Sequence, residues 1–105
     1  GLQMVERAVS LEPSNGAIVD SLGWGQFQLG QVDEAIYWLE RAVTLSPDSG
    51  TNNWHLGDAY AAAGRTLEAR FQWRRSLELD LDEDERALVE RRLELGLDAG
   101  PPDLP

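Results

Sequence analysis

The sequence predicts an all-α protein, a right-handed superhelical stack of antiparallel helix hairpins closed by a C-terminal capping helix. Three observations lead there. The chain echoes itself at an interval of 34 residues, apolar residues recur at helical spacing inside each interval, and glycine and proline punctuate both copies at matching places. Leu22-Gly23, Gly30, Glu34-Ala35 and Leu45 return as Leu56-Gly57, Gly64, Glu68-Ala69 and Leu79. A constant period in this range is the signature of stacked repeats, in which neighbouring units bury each other's apolar faces.

The elements follow in order. Residues 1–15 read as the second helix of a truncated repeat: Val5, Ala8, Val9 and Leu11 before Pro13 match Leu39, Ala42, Val43 and Leu45 before Pro47. On this reading the chain starts inside a repeat and belongs to a longer array. Residues 16–49 form the first complete unit. Ser14 is its expected N-cap, and Ile18, Val19, Leu22, Phe27 and Leu29 supply the apolar spacing of its first helix. Gly30 stops that helix, as glycine after a last turn commonly does. Asp33 and Glu34 open the second helix, where negative charge suits the dipole. Ala35, Ile36, Leu39, Ala42, Val43 and Leu45 carry it to Pro47. Two helices joined by so short a link fold back antiparallel.

Residues 50–81 repeat this logic, with Trp54, Leu56, Ala59 and Tyr60 in the first helix, Gly64 as the stop, and Leu67, Ala69, Phe71, Trp73, Leu77 and Leu79 in the return helix. Residues 82–97 read as the capping helix a repeat stack needs at its end. Asp82 and Glu85 have capping-box spacing. Leu88, Val89, Leu93 and Leu95 form an apolar stripe, and Glu83, Asp84, Glu90, Arg91 and Glu94 face water. Gly96 and Gly100-Pro101-Pro102 end the order, which leaves residues 98–105 as an expected flexible tail.

Composition narrows the function. A net charge of −10 opposes a phosphate-backbone ligand, so no nucleic-acid partner is expected. No apolar run approaches the length of a membrane-spanning segment. The chain has no cysteine, which removes disulfides and thiolate metal sites. All nine basic residues are arginine, a bias that fits a GC-rich bacterial genome. Catalytic patterns are missing. His55 is the single histidine, with Asp58 one turn further on and no nucleophile placed beside them; it reads as a structural helix residue. Asp80, Asp82 and Asp84 alternate like a calcium loop, but Glu85 occupies the glycine position and Arg91 the closing glutamate position. Gly23-Trp24-Gly25 follows no strand and is no dinucleotide loop. No enzyme activity, cofactor or metal is expected.

The residues resemble the tetratricopeptide repeat family. Leu22, Gly23, Ala35, Leu39, Ala42 and Pro47 match its motif in the first unit, and Leu56, Gly57, Tyr60, Ala69 and Trp73 in the second. Gln26 stands where tyrosine is usual, Val19 and Asn53 replace a large residue, Ser76 replaces the last alanine and Leu81 the closing proline. The resemblance covers roughly residues 1–82. It implies that the first helices line a concave groove for an extended peptide or partner helix. The groove positions fall on Ala17, Asp20, Trp24, Phe27 and Gln28, and on Thr51, Trp54, Asp58, Ala61 and Ala62. Trp24, Phe27 and Trp54 would make the groove aromatic, with Asp20 and Asp58 as an acidic edge. The competing account is that neighbouring helices cover these rings as core. Trp38 and Trp73, on second helices, read as core or convex packing.

The expected function is a protein-interaction scaffold or adaptor that holds a peptide or partner segment without chemistry of its own. Two alternatives stand beside it: self-association through the apolar face of residues 2–12, giving a homodimer, and a regulatory or interaction tail of an enzyme whose catalytic domain lies upstream. The repeat style also resembles bacterial envelope-associated proteins, which leaves localisation open between cytoplasm and periplasm.

Overall fold

The computed structural model describes residues 1–97. The described residues form six helices: α1 (Leu2–Leu11), α2 (Gly16–Gln28), α3 (Val32–Leu45), α4 (Gly50–Ala62), α5 (Thr66–Leu77) and α6 (Glu83–Leu95). The expected tail, residues 98–105, lies outside the described residues.

Local chemistry accounts for the boundaries. Asn15, not Ser14, caps α2: its Oδ1 accepts from the N–H groups of Ala17 and Ile18, both at 3.1 Å. Only the residue directly before the first helical position reaches those donors, and Ser14 lies one place too early. Ser49 does the same for α4, accepting from Asn52 N–H. The two hairpin links are built alike. Gly30 and Gly64 adopt φ of 81° and 78°, and each carries a pair of bonds back into its helix. Gly30 N–H reaches Phe27 O and Gln31 N–H reaches Gln26 O; Gly64 reaches Ala61 O and Arg65 reaches Tyr60 O. These are Schellman closures, which need a residue tolerant of the left-handed region. At the other end, Asp82 and Glu85 form the full capping box that starts α6.

The helices stack on two apolar clusters. Val9, Val19, Leu22 and Ala42 bind α1 to the α2–α3 hairpin, with Leu2, Val5, Ile18, Trp38 and Leu45 around them. The larger cluster joins α3, α4, α5 and α6 through Ile36, Leu39, Trp54, Leu56, Ala59, Tyr60, Trp73 and Val89. Leu67 and Phe71, read from the sequence as part of the return helix's apolar set, are instead exposed. They lie on the side of α5 turned away from α4, so helical spacing alone overstated the buried face.

Two glycines set how closely the hairpins shut. A Cβ at Gly23 would stand 2.8 Å from Leu39 Cγ, and one at Gly57 only 2.5 Å from Trp73 Cδ1. Trp73 has nowhere to go. It is 2% exposed, and its indole N–H donates to Asp58 at 2.9 Å. Gly57→Ala should therefore overpack the α4–α5 seam at a cost of about 1–3 kcal/mol, although alanine is the better helix former. Urea unfolding measures the loss; a variant at least as stable as wild type would show that the seam can give way.

Candidate functional site

Helices α2, α4 and α6 stand in succession, and polar side chains stitch them together one repeat apart. Between α4 and α6, Thr51 and Glu85 are partners, as are Asp58 and Arg92; both pairs are separated by 34 residues. Between α2 and α4, the His55 imidazole Nδ1–H donates to the Asp20 carboxylate at 2.8 Å. Helix α6 thus takes the register of a third first helix.

The aromatic side chains contact one another in a specific geometry. Trp24 lies flat against His55, with ring centroids 3.9 Å apart and planes 9° from parallel. It also stacks on Phe27 at 5.0 Å and meets Trp54 edge-on at 5.3 Å. Trp24 and Phe27 remain partly exposed, whereas Trp54 is 9% exposed and belongs to the core cluster. Its indole N–H is not free either, since it donates to Glu85 at 2.8 Å. Ala17, Gln28 and Ala62 are exposed, and Thr51 and Ala61 are half-buried. The cluster is therefore a partly open aromatic surface on a buried polar base.

The expected acidic edge does not form. Asp20 and Asp58 are 7% and 1% exposed, and both are consumed by internal partners. A carboxylate inside a helix interface persists only when it is paired and hydrogen-bonded. Asp20 takes His55. Asp58 takes the Trp73 indole and both Nε and Nη2 of Arg92, at 3.1 and 3.3 Å. Burial pushes the Asp58 carboxyl above its ordinary range, while Arg92 and Trp73 pull it down. For Glu85, partial burial disfavours the charge, yet the bonds from Thr51, Trp54 and the Asp82 N–H outweigh it and hold the carboxyl below its usual range.

The structure places the rings of Phe27 and Trp54 against that of Trp24. Sequence reading missed the partners beneath them. His55 pairs with Asp20 on the neighbouring helix, not with Asp58 along its own. Sequence spacing gives Glu85 a capping-box role and singles out no role for Arg92, and the structure ties both to α4. One signal was available: a step of 34 residues from Thr51 and Asp58 lands on Glu85 and Arg92. No cluster of His, Asp or Glu able to hold a metal occurs among the described residues. No described helix is long and apolar enough to cross a membrane.

A family model described as TPR repeat matches residues 26–64, from the last turn of α2 through α4 and its closing glycine. Phe27, Gln28, Thr51, Trp54, Asp58, Ala61 and Ala62 fall within the match. No curated protein matches the chain.

The buried pairs make two expectations. Asp58→Leu would strand the Arg92 guanidinium and should cost about 3–5 kcal/mol, whereas Asp58→Leu combined with Arg92→Leu should cost much less than those two single changes added together. Chemical unfolding of the four proteins reads the coupling; additive losses would mean the pair does not act as one. The second concerns acid. Because the folded-state value of Glu85 is depressed, its contribution is full above the ordinary carboxyl value of 4.5 and fades as pH falls through the lower folded value. The stability gap between wild type and Glu85→Gln should therefore close on acidification; a gap constant with pH would refute a charged tether.

Proposed function

We propose that the chain, which a TPR-repeat model matches over residues 26–64 and which thereby resembles a family whose members generally mediate protein–protein interaction, is an interaction module holding a polypeptide segment across α2 and α4. The observation that carries this reading is the partly open aromatic cluster of Trp24 and Phe27, backed by Trp54 and braced by the Asp20–His55 pair. Aromatic side chains concentrate binding energy when they are rigid before the partner arrives. Here rigidity comes from stacking on three neighbours and from hydrogen bonds beneath. Ala17, Gln28, Ala61 and Ala62 flank the rings with small or uncharged surface, which admits an extended backbone. With both aspartates satisfied internally, recognition rests on apolar contact and shape.

Trp54→Ala is a poor probe, because a buried indole supports the fold itself. Exposed positions separate binding from stability. Peptides selected on the wild-type protein from a displayed random library should bind an Ala17→Arg/Ala62→Arg double variant about tenfold more weakly, the equivalent of roughly 1.4 kcal/mol. Thermal unfolding should be unchanged, and Thr44→Arg on exposed α3 surface should bind normally. Selected peptides that bind the double variant as well as wild type would sink the α2–α4 placement.

A further inference from the structure

A second site follows from a comparison of the two repeats, in which Gln26 stands where the later unit has Tyr60. The cleft between α1, α2 and α3 has a volume of about 420 Å³, within the roughly 300–1,000 Å³ of ligand clefts. Val9, Leu22 and Trp38 give it an apolar lining, and Glu6, Gln26 and Arg41 give it polar edges. None of these belongs to the α2–α4 surface. The Gln26 side-chain oxygen is buried without a hydrogen-bond partner. Such an atom forfeits its hydration and gains nothing in return.

The same place one repeat later is filled. Glu6, Val9, Leu22 and Gln26 correspond to Glu40, Val43, Leu56 and Tyr60. Tyr60 is 6% exposed in the core cluster beside Leu56 and Val43, and its hydroxyl donates to the Glu40 carboxylate at 2.5 Å. Burial and that carboxylate both hold the phenol proton in place. In the first unit the valine, the leucine and the carboxylate are retained, but glutamine stands where the phenol would be, and Trp38 stands where the later unit has Gln72. Glu6 has no hydrogen-bond or ion-pair partner among the described residues.

We propose that the α1–α3 cleft is a binding slot for a p-hydroxyphenyl group, and that its occupant is a tyrosine side chain presented by a polypeptide partner. The ring lies against Val9 and Leu22 as Tyr60 lies against Val43 and Leu56, with Trp38 as an added aromatic wall. The hydroxyl donates to Glu6, and the Gln26 amide lies within the slot to meet a polar group of the occupant. The choice of a peptide tyrosine over a free phenol rests on the chain's own example: the equivalent slot receives a tyrosine whose backbone lies on a packed helix. Phenols lacking a backbone therefore test the slot, and a blocked tyrosine tests the source.

The experiment is NMR titration of the full chain with p-cresol, toluene and N-acetyl-tyrosinamide. p-Cresol and N-acetyl-tyrosinamide should shift the Trp38 indole N–H and the Gln26 side-chain amide and give intermolecular contacts to Val9 and Leu22. Toluene should bind about tenfold or more weakly, because it cannot donate to a carboxylate. Gln26→Tyr should fill the slot from within, abolish p-cresol binding and raise the unfolding temperature. Should that variant fail to fold, Glu6→Gln at an exposed helix position keeps the question open to test: it should erase the preference for p-cresol over toluene. Equal binding of p-cresol and toluene, p-cresol shifts elsewhere on the protein, or full p-cresol binding by folded Gln26→Tyr would overturn the slot. Entry of p-cresol with exclusion of N-acetyl-tyrosinamide would overturn the peptide occupant.

Discussion

Close approach of paired helices at Gly23 and Gly57 is the constraint from which the remaining geometry follows. Without a Cβ at these positions, Leu39 packs directly on α2 and Trp73 directly on α4. Once Trp73 is seated against Gly57, its indole N–H is delivered to Asp58. Asp58 in turn receives Arg92, and that ion pair holds α6 in register with α4. A chain of consequences thus runs from a missing methyl group to the placement of the last helix. Apolar burial supplies most of the driving force, but the glycines decide the distance at which it is collected.

Above this frame lies a polar layer that does two tasks with few residues. Asp20, His55, Asp58, Arg92, Glu85 and Thr51 pair with one another between consecutive first helices, so the buried carboxylates are not left bare, although Arg92 Nη1 is buried without a partner. The same bonds fix the rings of Trp24 and Trp54. Buried polar groups contribute little net stability when satisfied and cost heavily when orphaned. Their value here is orientation: they leave Trp24 and Phe27 partly open while committing Trp54 to the interior. The acidic character of the chain consequently resides on its outer helix faces and not in the aromatic surface.

Much of this was legible from residue order. The left-handed glycines at 30 and 64, the capping box at Asp82 and Glu85, and the pairing of α2 with α3 and of α4 with α5 depend on contacts a few residues apart. Trp24, Phe27 and Trp54 came together because a repeat period sets the first helices of successive units side by side, so that neighbouring positions on the two helices meet. The cap of α2 was misread by one place, since Ser14 and Asn15 are both good capping residues and only the path of the turn selects between them. The exposure of Leu67 and Phe71 was invisible because periodicity gives a helix an apolar side without saying how much of it a neighbour covers.

Residue order by itself therefore determined the repeat, its hairpins and the helices that carry the aromatic residues, because these follow from local propensity and from a spacing that translates one unit onto the next. Tertiary structure alone decided which charges are spent inside and which cleft stays open. His55 chose Asp20 over Asp58, and Gln26 left a space that Tyr60 fills in the other repeat. The physical reason is common to both. Burial and partner choice depend on side chains converging from different helices, at distances of a few ångströms that no spacing along one helix encodes.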